Sequence, residues 1–124
     1  MIDFNNATFF KLSPTSNSDY EGLIIPMLID GEEIIRTFRG IRDGVVFTNK
    51  RIIAINIQGI TGKKKDFTSL PYSKIQAFSV ETAGVLDLDS ELDLWFSGLG
   101  NVRLEFVAQA DVADICRMIS ERVL

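Results

Sequence analysis

Apolar and polar residues alternate with a period of two along most of this chain, and the period changes only near its C-terminus. Ile53, Ile55 and Ile57 alternate with Ala54, Asn56 and Gln58. Leu92, Leu94 and Phe96 alternate with Asp93, Trp95 and Ser97, and Val102, Leu104 and Phe106 with Arg103 and Glu105. A two-residue period marks strands with one buried face. The stretch Glu33–Gln58 organises the rest, reading as three strands joined by turns at Asp43-Gly44 and Asn49-Lys50. Further strands are expected at 66–70, ended by Pro71, and at 75–82, with Phe78 and Val80 inward. An acidic loop covers 83–91, and Gly98 and Gly100 form the next turn.

Two segments follow a helical spacing instead. Val112, Ile115, Cys116, Ile119 and Val123 form an apolar stripe, with Asp111 as the cap, Asp114 in the first turn and Arg122 near the end. Near the start, Ser18 and Glu21 fit a capping box, and Tyr20, Leu23, Ile24, Met27 and Leu28 follow at helical spacing. Pro26 interrupts that run, so a short or kinked helix ending near Asp30-Gly31 is expected. The pattern amounts to seven antiparallel strands and a C-terminal helix, without repeat or linker. Residues 1–17 are read as an N-terminal arm and loop, and 18–124 as a single domain with a core centred on Ile53, Ile55, Leu94, Phe96, Leu104, Phe106, Ile115 and Ile119.

Composition is that of an ordinary globular domain, 46% hydrophobic and 24% charged. No apolar run approaches the roughly 20 residues that span a bilayer, and the start lacks a basic region followed by an apolar one. The single cysteine, Cys116, permits no internal disulfide, which suits a reducing compartment. A cytoplasmic protein is therefore expected. The net charge of −4 is unevenly placed: residues 32–74 hold nine Lys/Arg and four Asp/Glu, the remainder four and thirteen. Such a bipolar surface can orient a partner, a membrane or a second copy of the chain, and strand alternation also produces such biases by chance.

Several motifs taken together carry a family resemblance. Asp30-Gly31-Glu32-Glu33, Ile41-Arg42-Asp43-Gly44, Phe47-Thr48-Asn49-Lys50-Arg51, Gln58-Gly59-Ile60-Thr61-Gly62-Lys63-Lys64, Pro71-Tyr72 and Ser79-Val80-Glu81-Thr82-Ala83-Gly84 resemble the bacterial pleckstrin-homology (PH) domain family. The resemblance runs from about Tyr20 to the end. It implies a bent, partly open seven-stranded antiparallel barrel capped by the C-terminal helix, and assembly into a cyclic homo-oligomer such as a pentamer. It implies no established biochemical activity. Eukaryotic PH domains carry a core-facing tryptophan on the C-terminal helix; here that stripe holds aliphatic residues and Cys116, and Trp95 lies on a strand. That departure weighs against transferring phosphoinositide binding directly.

Catalytic chemistry is sparse. The chain has no histidine, which removes Ser-His and Cys-His nucleophile pairs and the commonest metal ligand. Cys116, on the apolar helix face, reads as a packing residue. Asp87, Asp89, Glu91 and Asp93 are spaced like the start of a calcium loop, but Leu92 and Gly98 occupy the positions that need glycine and a bidentate acid. An acidic loop leading into a strand is the simpler reading. No catalytic residue, metal or cofactor is expected.

Binding candidates remain. Lys63, Lys64 and Lys65 follow a glycine-punctuated turn that lacks nucleotide-loop spacing. With Arg39 or Arg42 nearby they are candidates for an anion or lipid headgroup, by likeness to lipid-binding PH domains; the alternative is a solvated hairpin tip. Nucleic acid is not an expected partner, since total charge is acidic and no basic-aromatic platform is visible. Trp95 points away from Leu94 and Phe96, so it is either covered by the N-terminal segment or free to anchor a subunit or partner. Two functions follow: a self-assembling, non-catalytic module that binds a protein or peptide, or a peripheral adaptor on anionic membrane at the inner face.

Overall fold

The computed structural model describes every residue from Met1 to Leu124. Its elements run β1 (Ala7–Thr15), α1 (Glu21–Ile24) flanked by 3-10 turns, β2 (Ile34–Arg39), β3 (Gly44–Thr48), β4 (Arg51–Gln58), β5 (Lys64–Pro71), a 3-10 turn at Tyr72–Lys74, β6 (Ile75–Glu81), β7 (Ser90–Phe96), β8 (Gly100–Phe106) and α2 (Val112–Val123). The strands form one curled sheet in the order β5-β4-β3-β2-β1-β8-β7-β6, closed over by α2, which is a PH-like half-barrel.

Eight strands are present where seven were expected, because Ala7–Thr15, read as arm and loop, is a central strand. It runs parallel to β8 through Ala7–Phe9 and antiparallel to β2 through Ser13–Thr15. The register shifts between Phe9 and Leu12, where Lys11 takes a left-handed φ of 54°. That bulge transfers β1 from one half of the barrel to the other. Lys11 and Pro14 break the apolar rhythm and hide the strand in the sequence.

All eight expected core residues are buried, but they divide between two cores. The main core lies inside the curl, with Phe38, Val45, Phe47, Ile52, Ala54, Leu94, Phe96, Leu104, Phe106, Ile115 and Ile119. Ile53 and Ile55 face the other way, into a smaller core with Tyr20, Ile24 and Val46. β4 is thus buried on both faces, not one, because α1 and its flanking turns cover the outer side of β3 and β4. Ser16, rather than Ser18, caps this segment, its hydroxyl accepting from the Ser18 amide at 3.2 Å. The helix is short, as expected, and Pro26 lies in the 3-10 turn Ile25–Met27 that ends the segment ahead of Asp30-Gly31.

The Asn49-Lys50 turn forms as read. The expected turn at Asp43-Gly44 lies one step earlier, with the Gly40 amide donating to the Asp43 carbonyl at 2.7 Å. Gly44 begins β3, and a Cβ there would sit 2.5 Å from the Tyr20 hydroxyl oxygen. Its missing side chain makes room for Tyr20 in the smaller core. Asp111 caps α2 by accepting from the Asp114 amide at 3.1 Å.

Candidate functional site

The β4–β5 hairpin carries the three lysines. Gly59 (φ 75°) and Gly62 (φ 68°) supply the left-handed positions its tight tip needs. The Arg42 guanidinium, from the β2–β3 loop, donates to the Gly59 carbonyl at 2.7 Å and ties the two loops together. Lys65 Nζ donates to the Gly62 carbonyl at 3.2 Å. None of Arg42, Lys63, Lys64 and Lys65 has a carboxylate within ion-pair distance, so their charges stand uncompensated at one tip.

Arg39 does not join them. Its guanidinium lies 3.4 Å from the Asp19 carboxylate and 5.1 Å from the centre of the Tyr20 ring. It lines a separate groove of about 330 Å³ with Lys11, Ser13, Thr15 and Ile41. The Lys11 ammonium in that groove is held by Asp89 at 2.9 Å, which raises its pKa and holds the Asp89 carboxyl below the usual range. Glu105 is pushed upward by burial and by the neighbouring Asp89 carboxylate.

Two residues at the tip escaped the sequence reading. Ile41 is 85% exposed and Ile60 fully so, each at the crest of a turn. The available signal was their setting: Gly40-Ile41 and Gly59-Ile60 place a large aliphatic where turn chemistry asks for none.

A surface of opposite sign lies at the far end of the sheet order. Glu81, Asp87, Asp89 and Glu91 line a polar groove of about 160 Å³ in the β6–β7 loop. The loop closes through the Gly84 amide and Asp87 carbonyl at 2.7 Å, and it exposes Val85, Leu86 and Leu88. No group of three or more His, Cys, Asp or Glu side chains is placed to hold a metal ion.

Trp95 projects from the outer face of β7 with 49% of its surface exposed, between Ala77 of β6 and Asn101 of β8. The N-terminal segment does not cover it. Phe4 packs edge-on against Phe96, whose side chain points to the opposite face, and Phe9 lies in the main core. Trp95 instead walls a groove of about 140 Å³ with Phe78, Ser79 and Asp93. Cys116 is half-buried on α2.

A family model for the bacterial PH domain matches residues 3–123. The uncharacterised Bacillus subtilis (strain 168) protein YjqA is 47% identical over 121 residues, covering 96% of this chain and 97% of that protein. Among solved structures, a protein with a pleckstrin-homology domain from Shewanella loihica PV-4 superposes with a TM-score of 0.82 at 39% identity, covering 92% of this chain and 98% of that one. The pleckstrin homology domain from Shewanella amazonensis SB2B gives a TM-score of 0.69 at 40% identity, over 89% and 90% of the two chains.

Proposed function

Because the chain belongs to the bacterial PH domain family, we propose that it is a non-catalytic interaction module whose copies join head to tail into a ring, such as a pentamer, that binds a protein or peptide in the cytoplasm. The observation that carries this reading is the pair of bare sheet edges. β5 and β6 end the strand order with no outer neighbour, and bare edges recruit strands. Their surroundings differ in sign, with cations at the β5 hairpin and acids in the loop after β6. Two unlike patches on one subunit favour a heterologous contact, which closes into a ring when the rotation allows. Trp95, one strand in from β6, supplies an exposed aromatic anchor. Sedimentation equilibrium at micromolar concentration tests the reading. A species several times the 13.9 kDa chain mass supports it. A clean monomer removes it, and a two-fold dimer removes its head-to-tail part.

A second reading, a peripheral adaptor at the inner face of the membrane, draws on the tip. Ile41 and Ile60 project beside Arg42, Lys63, Lys64 and Lys65. Apolar side chains ringed by cations suit the boundary between acyl chains and anionic headgroups. No helix of the chain is long and apolar enough to cross a membrane. Co-sedimentation with phosphatidylserine vesicles, lost on Lys63→Ala/Lys64→Ala/Lys65→Ala, supports this reading; equal recovery with neutral vesicles rules it out.

A further inference from the structure

We propose that the outer face of the sheet beside the β1 bulge binds a phosphomonoester that carries an apolar group. The phosphate sits in the groove lined by Lys11 and Arg39, and the apolar group lies against Phe10 and Ile41. The inference is independent of self-assembly and of the lysine tip, because the site is built within one chain by β1, β2 and the β2–β3 loop, in the middle of the strand order.

The bulge builds the site. Phe9 and Leu12 are both buried in the main core. Strict alternation would turn one of the two residues between them inward. The left-handed φ of Lys11 leaves both Phe10 and Lys11 outside, an aromatic and a cation side by side. Gly40 then lets the β2–β3 loop close over the bulge. A Cβ there would stand 3.0 Å from the Phe10 carbonyl oxygen and 3.3 Å from that of Asp43. Ile41 consequently lines two adjoining grooves. One, of about 330 Å³, holds Lys11, Ser13 and Arg39. The other, of about 160 Å³, holds Thr8 and Phe10. Sites for small organic ligands run from roughly 300 to 1,000 Å³.

The larger groove presents two cations and no carboxylate. Asp89 holds the Lys11 ammonium at 2.9 Å and Asp19 meets the Arg39 guanidinium at 3.4 Å, but neither acid lines the groove. They fix the two cations from outside it, and they also lower the local potential, which sets the affinity in the millimolar range. An ammonium has three N–H donors and a guanidinium five, so most are unspent. Ser13 adds a hydroxyl. A ligand that satisfies them needs several acceptor oxygens and close to two negative charges. A phosphomonoester has both, with about −1.5 to −2 charges at pH 7. In the smaller groove the charged groups are turned elsewhere: Asp43 accepts from the Ile57 amide at 3.2 Å, and Arg42 donates to the Gly59 carbonyl at 2.7 Å. The exposed Phe10 ring and Ile41 side chain remain, and they suit an aromatic or aliphatic group.

Phenyl phosphate is the probe. Titrated into the isotope-labelled full chain, it should shift the amide resonances of Lys11, Ser13, Gly40 and Ile41 saturably, with a Kd of about 1 mM or below. Arg39→Gln should weaken binding roughly tenfold. Lys11→Asn, which keeps a residue tolerant of a left-handed φ, should do the same. Phenyl sulfate, with one charge, and inorganic phosphate, without the ring, should each bind more weakly, while Lys63→Ala/Lys64→Ala/Lys65→Ala should leave binding unchanged. No saturation at about 10 mM, shifts confined to the hairpin tip, or equal binding of phenyl sulfate overturns the proposal. Equal binding of inorganic phosphate overturns its apolar half. The wild-type shifts decide the matter if a variant misfolds. Phosphatidic acid vesicles identify the source of the group. Arg39-dependent co-sedimentation beyond that on phosphatidylserine vesicles assigns a lipid headgroup, and its absence beside phenyl phosphate binding assigns a soluble ester.

Discussion

Glu32 is the residue whose replacement tests the packing most sharply. Its carboxylate has no solvent exposure. It accepts from Arg51 Nε at 2.9 Å and Nη2 at 3.0 Å, from the Thr48 hydroxyl at 2.7 Å and from the Ile29 amide at 3.1 Å. Glu32→Gln keeps the shape and removes the charge. Breaking a buried ion pair from one side costs about 3–5 kcal/mol. Arg51 retains bonds to Ser69 Oγ and the Met27 carbonyl, and its side chain is 23% exposed, so part of its charge is still solvated. These place the loss near the lower end, about 3 kcal/mol, or about 10 °C in Tm for a domain of this size. Urea melts at pH 7, followed by far-UV circular dichroism, read it directly. Acid supplies a second axis. Burial pushes the Glu32 carboxyl up, but the bonds from Arg51, Thr48 and Ile29 outweigh burial and hold it below its ordinary value of 4.5. A depressed folded pKa gives stability that is present above the unfolded value and lost as pH falls through the folded one. The gap between wild type and variant should therefore narrow as pH falls below about 4.5. A loss under about 1 kcal/mol at neutral pH, or a gap that widens in acid, refutes the reasoning.

Three further outcomes are expected. Phe106→Ala removes a fully buried ring that meets Phe38 edge-on at 5.0 Å, and should cost about 3–5 kcal/mol in denaturant melts. Gly44→Ala forces a methyl against Tyr20 and should cost about 1–3 kcal/mol; the penalty should disappear in a Tyr20→Ala background, as a double-mutant cycle measures. Trp95→Ala should leave urea stability within about 0.5 kcal/mol, as for other exposed sites, while reducing assembly in sedimentation; an intact ring would show that Trp95 is not part of the interface.

The strands with strict alternation were legible because each has one wet and one dry face, as in β7 and β8. β4 was harder, since Ile52, Ile53, Ala54 and Ile55 are all buried and a continuous apolar run does not reveal which face meets which core. β1 was missed because its pairing changes partner midway, and the residues that allow the change, Lys11 and Pro14, look like loop residues. Asp43-Gly44 shows the opposite error: the glycine serves Tyr20, which lies 24 places earlier in the chain, beyond the reach of local turn logic. Of the candidate site, the lysines and Arg42 could be named from sequence, but only the folded loops show that Arg42 reaches Gly59 while Arg39 is taken by Asp19 and Tyr20. The buried Glu32–Arg51 pair left no sequence signal at all, because both residues read as ordinary surface charges near a turn.

The open edges have a cause within the fold. β5 and β6 are consecutive in the chain and separated by only three residues, so the simplest way to finish the sheet would be to pair them as a hairpin and close the barrel. The turn between them prevents this. Tyr72 is buried there, its hydroxyl donating to the Thr48 carbonyl at 2.7 Å and its ring lying 6.0 Å from the Arg122 guanidinium of α2. Burial raises the Tyr72 pKa, so the hydroxyl stays a donor throughout the physiological range. Swinging β6 onto β5 would pull Tyr72 from that seat and unpack α2, which contributes Ile115, Met118 and Ile119 to the main core. Burying side chains of that size is worth about 1.5–3 kcal/mol each, more than the few cross-strand contacts a closed seam would add at about 0.2–1 kcal/mol apiece. The helix and the closed seam thus compete for one turn, and the helix wins. The two edges are left bare by the same packing that stabilises the domain.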